Sequence, residues 1–175
     1  MANRYTDTDG WYKSYIDVME NIGWIIQDFK FKQFESSSAS FKISEVCLEL
    51  IKALVGDDAA VLKDVVEMFT ALSKNEGGLT LFDTHSFSAS KGNFQILPCT
   101  KDESGQVVLS FFGSFFNVKS SEQDFFFFSW KSEDVKFFYA GENLTLNKEI
   151  YSKVREAVKR KLGNHATDFI DDLEI

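Results

Sequence analysis

The chain has 175 residues, 44% hydrophobic and 26% charged, which suits one domain with a sizeable core and excludes disorder. Lys and Arg number 19 against 27 Asp and Glu, a net charge of −8. Nucleic-acid binding, which needs cations to displace phosphate counterions, is disfavoured, and anionic lipid heads are repelled. A charged partner is expected to be basic. No apolar run approaches the roughly eighteen residues a spanning helix needs. The start, Met1 to Gly10, lacks the basic and apolar regions of a Sec signal peptide. The expected location is the cytoplasm, or outside the cell after export without a Sec signal.

The first expected element is a helix from about Gly10 to Gln27, capped by Asp9. Trp11, Tyr15, Val18, Ile22 and Ile25 form one row, and Tyr12, Ile16, Met19 and Ile26 the next. Together they cover about half the circumference, more than a usual stripe. Gly23 lies in the second row, where it allows another backbone to approach. Trp24 falls among the polar residues of this helix. Phe29 to Lys32 then alternates at the strand period, Ser36 to Ser38 reads as a turn, and Phe41 and Ile43 suit a return strand. A loop is the competing reading. Ser44 suits the cap of a second helix, Glu45 to Val55, closed by Gly56. Asp57 or Asp58 starts a third, which runs to about Lys74 with Val65, Phe69 and Leu72 inward. Asn75-Glu76-Gly77-Gly78 stops it.

From Leu79 the pattern alternates. The expected strands are Leu79–Ser88, Asn93–Lys101, Gln106–Lys119, Asp124–Trp130 and Val135–Ala140, joined by short links that favour an antiparallel meander. Gly113-Ser114 marks a bulge in the longest of them. The chain holds 19 Phe, 13 of them between Leu79 and Asn147. Neighbouring strand residues point to opposite faces. Phe111-Phe112, Phe115-Phe116 and the run Phe125 to Phe128 therefore put rings on both sides of the sheet. Each buried ring is worth about 1.5–3 kcal/mol, so both faces should be covered by helices, a second sheet or another subunit. A homodimer is one such solution. Asn147 caps a last helix, Lys148 to Leu162, with six cations against two acids. An acidic tail follows, with Asp168, Asp171, Asp172 and Glu174.

The fold class is thus α+β: an antiparallel β-meander of four to five strands packed with three N-terminal helices and one C-terminal helix. The helical part covers 1–78, the meander 79–146, and the last helix and tail 147–175.

No HExxH, GxGxxG, Walker loop, GxSxG or EF-hand loop is present. Two histidines and two distant cysteines, Cys47 and Cys99, offer no local metal-ligand pair. No cofactor, metal or catalytic residue is assigned, and both thiols are expected to be reduced and inert. Asp83-Thr84-His85 is the one dyad-like group. On a strand its two ionisable side chains would share a face beside Ser86 or Ser88. It is read here as a polar strand end. The interaction candidates are Trp24, a large aromatic on a polar helix face, and Phe169, Ile170 and Leu173, at helical spacing in the tail.

Trp11-Tyr12, Tyr15, Met19-Glu20 and Gly23-Trp24, followed by helices, a meander and a last helix, resemble the small accessory proteins encoded beside bacterial tripartite α-pore-forming toxins, as in the Vibrio motility-associated killing factor cluster. The resemblance implies a bacterial protein co-expressed with toxin components as partners, without enzymatic activity. It rests on an aromatic pattern, so no functional residue carries over. The expected function is non-catalytic interaction in a toxin-associated system. The alternatives are an acidic immunity or antitoxin-like protein, which suits a basic toxin, and a carrier of an apolar ligand.

Overall fold

The computed structural model describes residues 2–56, 58–119 and 125–171. Helix α1 (Thr8–Asn21) begins at Asp7, whose carboxylate accepts from the Gly10 N–H, two residues before the expected cap. It also ends early. Gly23 adopts φ +104°, which side-chain-bearing residues rarely take. Its backbone packs against the start of the last helix, where an added Cβ would sit 3.0 Å from the Asn147 carbonyl oxygen. Gly23 thus permits the close approach expected of it, while also stopping the helix. Trp24 and Ile25 form the short strand β1 (Trp24–Ile25). Trp24 is therefore not on the polar face of a helix.

The Phe29 hairpin does not form either. Strand β2 (Lys32–Gln33) pairs with the long strand β9 (Val135–Leu146). Strand β3 (Ser40–Lys42) pairs with β8 (Ser129–Lys131) in a separate two-stranded sheet. Helices α2 (Ile43–Val55) and α3 (Ala59–Lys74) lie where the apolar spacing puts them. The Asp58 carboxylate caps α3 by accepting from the Val61 N–H. Lys42, not Ser44, precedes α2, and it makes no side-chain cap.

The segment expected as the first strand of the meander is a fourth helix, α4 (Glu76–Ser86). Asn75 ends α3 and caps α4 at once, its side chain accepting from the Gly78 N–H at 2.8 Å. Gly77-Gly78 therefore opens a helix instead of closing a loop. The change to strand comes at β4 (Phe87–Ser88), followed by β5 (Lys91–Ile96), β6 (Cys99–Lys101), β7 (Val107–Val118) and, after β8, β9.

The main sheet is antiparallel in the order β1-β9-β7-β5-β4, with β2 also on β9 and β6 also on β7. The α+β class and the antiparallel meander hold; the N-terminal helices number four among the described residues. Strand β7 runs from Val107 to Val118 with unbroken register to β9 through Gly113, so the expected bulge is absent. Gly113 instead makes room for Tyr12 and Phe29, whose ring atoms lie 3.1 and 3.0 Å from where its Cβ would be.

The rings of β7 divide as the pleat requires. Phe112 and Phe116 join a core under α2, α3 and α4, with Phe94, Phe137 and Trp130. Phe111 and Phe115 face α1 with Tyr12, Leu109 and Leu144. Both faces are covered within one chain. The run Phe125 to Phe128 departs from expectation: Phe125 to Phe127 form a turn, not a strand. Phe125 and Phe126 both enter the helical-side core, while Phe128 is 39% exposed. The turn is held by Trp130, whose indole N–H donates to the Phe125 carbonyl at 2.9 Å. The last helix, α5 (Lys148–Asp171), continues well past the expected end at Leu162.

Candidate functional site

Helix α2 is fitted closely to the sheet. Asn143 of β9 donates from its amide nitrogen to the Leu54 carbonyl, and Leu54 sits over Gly141. Helix α3 follows after Gly56 to Asp58 and joins α4 through Asn75 alone. It stands away from the edge of the sheet where β5 passes into β6. The gap is a half-open groove of about 460 Å³, within the range of small-molecule sites.

Val61, Val65, Met68 and Leu72 of α3 form one wall, and Ile96, Leu97 and Pro98 the other. Phe69, Phe82 and Phe126 make the floor, with Phe126 edge-on to both other rings at 5.0 and 5.3 Å. Phe82 also stacks on the buried Phe125, which joins the floor to the core. Of the thirteen lining residues ten are apolar; the others are Asp64, Gln95 and Cys99. Asp64 and Cys99 are exposed at the rim. Gln95 is committed elsewhere, its amide nitrogen donating to the Tyr12 hydroxyl and to Asn93 Oδ1, each at 3.0 Å. Such a lining can hold hydrocarbon by releasing water from both surfaces.

On the opposite face lies a buried polar cluster. Asn93 is fully buried and Tyr12 is 3% exposed. The Tyr12 hydroxyl is within donating distance of Asn93 Oδ1 at 3.1 Å and of the Ser114 carbonyl at 3.2 Å. Asn93 donates to the Arg4 carbonyl, and the Arg4 guanidinium donates back to the Asn93 carbonyl. Burial holds the Tyr12 phenol well above its ordinary pKa, against smaller opposing effects of Gln95 and Arg4. The cluster pins the N-terminal segment and α1 to β5. A recess of about 330 Å³ between α1 and Phe29 and Phe31 is smaller than the groove.

The dyad-like group is rearranged. Asp83 and His85 lie on α4, where two positions turn about 200°, so they do not share a face. His85 is exposed and its Nδ1 lies 3.0 Å from the Leu81 carbonyl oxygen. Trp24 is half-buried against the α1-side core, paired with Leu146. Phe169 and Ile170 fall in the last turns of α5; their side chains, and Leu173, lie outside the described residues. Cys47 is fully buried and its thiol is pushed well up by desolvation. Cys99 is not enclosed as an inert thiol would be, because it reaches solvent beside the groove. No helix among the described residues is long and apolar enough to cross a membrane.

The groove had no signature in the sequence. Its walls come from α3 and from β5–β6, and each residue reads singly as ordinary core. Pro98, the one proline, was the nearest signal: it separates β5 from β6 and lines the opening.

The chain matches no protein-family model and no curated protein sequence. Among solved structures it is similar to a delta-endotoxin, at 17% identity and a TM-score of 0.45, over 77% of this chain and 65% of that one. It is also similar to the activated Cyt2Ba monomer of Bacillus thuringiensis subsp. israelensis, at 13% identity and a TM-score of 0.40, over 77% of each chain. The chain thus spans just under two thirds of the delta-endotoxin it matches. At these values the likeness is partial and assigns no activity to this chain.

Proposed function

We propose that the protein is a non-catalytic binding protein of a bacterial pore-forming-toxin system, and that its binding element is the groove between α3 and β5–β6. One observation carries the binding role: the groove is a preformed opening whose walls and floor are hydrocarbon and aromatic ring, with Asp64 and Cys99 at the rim and Gln95 hydrogen-bonded to Tyr12 and Asn93. Recognition there comes from displaced water. A nucleophile, its base and an orienting group would need to converge for catalysis, and the rim offers one carboxylate and one thiol. The proposed occupant is a small apolar molecule. The toxin setting is supported by the resemblance of the opening aromatic segment to toxin-associated accessory proteins.

Native mass spectrometry of the protein purified gently from its own host tests the binding role. The expected spectrum shows an added mass that denaturation releases. The variant Met68→Asp places charge on the α3 wall and should lose that mass while retaining the fold, because Met68 is 46% exposed. A ligand-free spectrum, together with no uptake of straight-chain alcohols or fatty acids, overturns the role. Co-purification with neighbouring toxin components tests the setting separately; no association, and no change in toxin level or activity on deletion, counts against it.

A further inference from the structure

The negative charge of the chain is not evenly spread. From Lys148 to Leu162, α5 carries six cations and two acids, leaving 13 cations and 25 acids on the rest. This helix is tied to the body at its first turn: the Asn147 N–H donates to the Gly23 carbonyl, and Lys148 Nζ to the Gly105 carbonyl at 2.9 Å. Beyond that turn its apolar side chains belong to neither buried core. Ile150 is 42% exposed and Leu162 61%, and Tyr151, Val154 and Val158 between them are half-buried.

Projected down the helix axis, Ile150, Tyr151, Val154, Ala157, Val158 and Leu162 fall in one sector of about 140°. The cations have a definite place around it. Lys153 and Arg160 border one edge, and Lys148, Arg155 and Lys159 the other. Lys161 lies inside the sector, on a stem long enough to carry its ammonium outward. Glu149 and Glu156 lie at the far pole. Lys153 also pairs with Glu149 at 2.8 Å, and Lys159 and Arg155 with Glu156 at 3.4 and 3.7 Å; these pairs are exposed and worth little, so they leave the cations able to exchange onto phosphate.

We propose that α5 is a membrane-surface helix whose apolar stripe sinks into one leaflet of an anionic bilayer while the flanking cations hold lipid phosphates. With the stripe of its first four turns immersed, the bordering stems reach headgroup level on both sides, and Glu149 and Glu156 face water. Local charge thereby overrides the repulsion implied by the whole chain, because the bilayer field fades within a Debye length. The reading is independent of the groove and involves no spanning segment.

Flotation of the full chain with vesicles of phosphatidylglycerol and phosphatidylcholine in equal parts, and with pure phosphatidylcholine, tests it. Binding is expected to the first, much less to the second, and to weaken with added salt. The triple variant Lys153→Gln, Lys159→Gln, Arg160→Gln should bind on the order of a hundredfold more weakly. Leu162→Asp should also lose binding, with an unchanged circular dichroism spectrum and melting temperature, since that residue is largely exposed. No binding, equal binding to both vesicles, or undiminished binding by either variant overturns the proposal. So does a solution dimer that Leu162→Asp dissociates without vesicles, because a second copy then covers the stripe.

Discussion

On one face of the sheet, α1 and the extended chain around Phe29 and Phe31 are fitted onto Phe111, Leu109 and Leu144, and a buried Tyr12–Asn93 cluster locks them in place. On the other, three helices share the cover: α2 is drawn tight by Asn143 and Leu54, and α4 packs Phe82 on Phe94, Phe125 and Phe126. Helix α3 is held at both ends by short links and leaves the groove beside β5–β6. Both faces bury aromatic rings. What separates them is whether polar groups beneath the covering element fix its distance from the sheet.

The largest effect is expected where the faces agree. Phe111→Ala and Phe112→Ala remove fully buried rings from opposite sides of one strand. Each should cost about 3–5 kcal/mol in urea unfolding. A cost confined to one face would break the symmetry of ring burial. Gly113→Ala, which presses a methyl on Tyr12 and Phe29, should cost about 1–3 kcal/mol. Fluorescence and urea midpoints together check that the disturbance stays on the α1 side.

Tyr12→Phe leaves the ring and removes the hydroxyl, so the polar lock loses its centre. A loss of about 1–3 kcal/mol is expected. It also carries a pH signature. The Tyr12 phenol is raised above its ordinary value of 10.0 by burial. The unfolded chain therefore releases this proton first. The contribution is fully present below about pH 10 and is lost as pH rises above it. Urea midpoints across the alkaline range should fall less steeply in Tyr12→Phe than in the wild type. Tyr15, also raised by desolvation, keeps a residual slope.

The smallest effect is chemical. A thiol reagent should modify Cys99 rapidly in the folded protein and Cys47 only on unfolding, because only the first is exposed. A groove ligand that crowds the rim should slow the Cys99 reaction.

Much of this architecture was legible in the chain. The apolar spacing of α2 and α3, the capping Asp58 and the paired rings of β7 have local causes, and these elements appear where those causes put them. Helix α4 was hidden because Leu79-Thr80-Leu81 and Ser86-Phe87-Ser88 alternate like a strand, while its helical state rests on the Asn75 cap and on Phe82 reaching Phe94, Phe125 and Phe126. The run Phe125 to Phe128 has strand propensity, but a turn there delivers two consecutive rings to one core. Trp24 leaves the helix face because Gly23, besides admitting the last helix, takes a positive φ that ends α1 before it. The groove depends on how far α3 stands from residues that follow it by more than twenty positions, and no local pattern encodes that distance.

The most direct test compares the faces within one experiment. Methionine methyl resonances report on both: Met68 lines the groove, and Met19 is buried in the α1-side core. Titration with dodecanol, a neutral straight-chain alcohol, should shift the Met68 methyl signal saturably and leave Met19 in place. If Met68 does not move, or both signals move together, the groove is not a separate apolar binding element and the account fails.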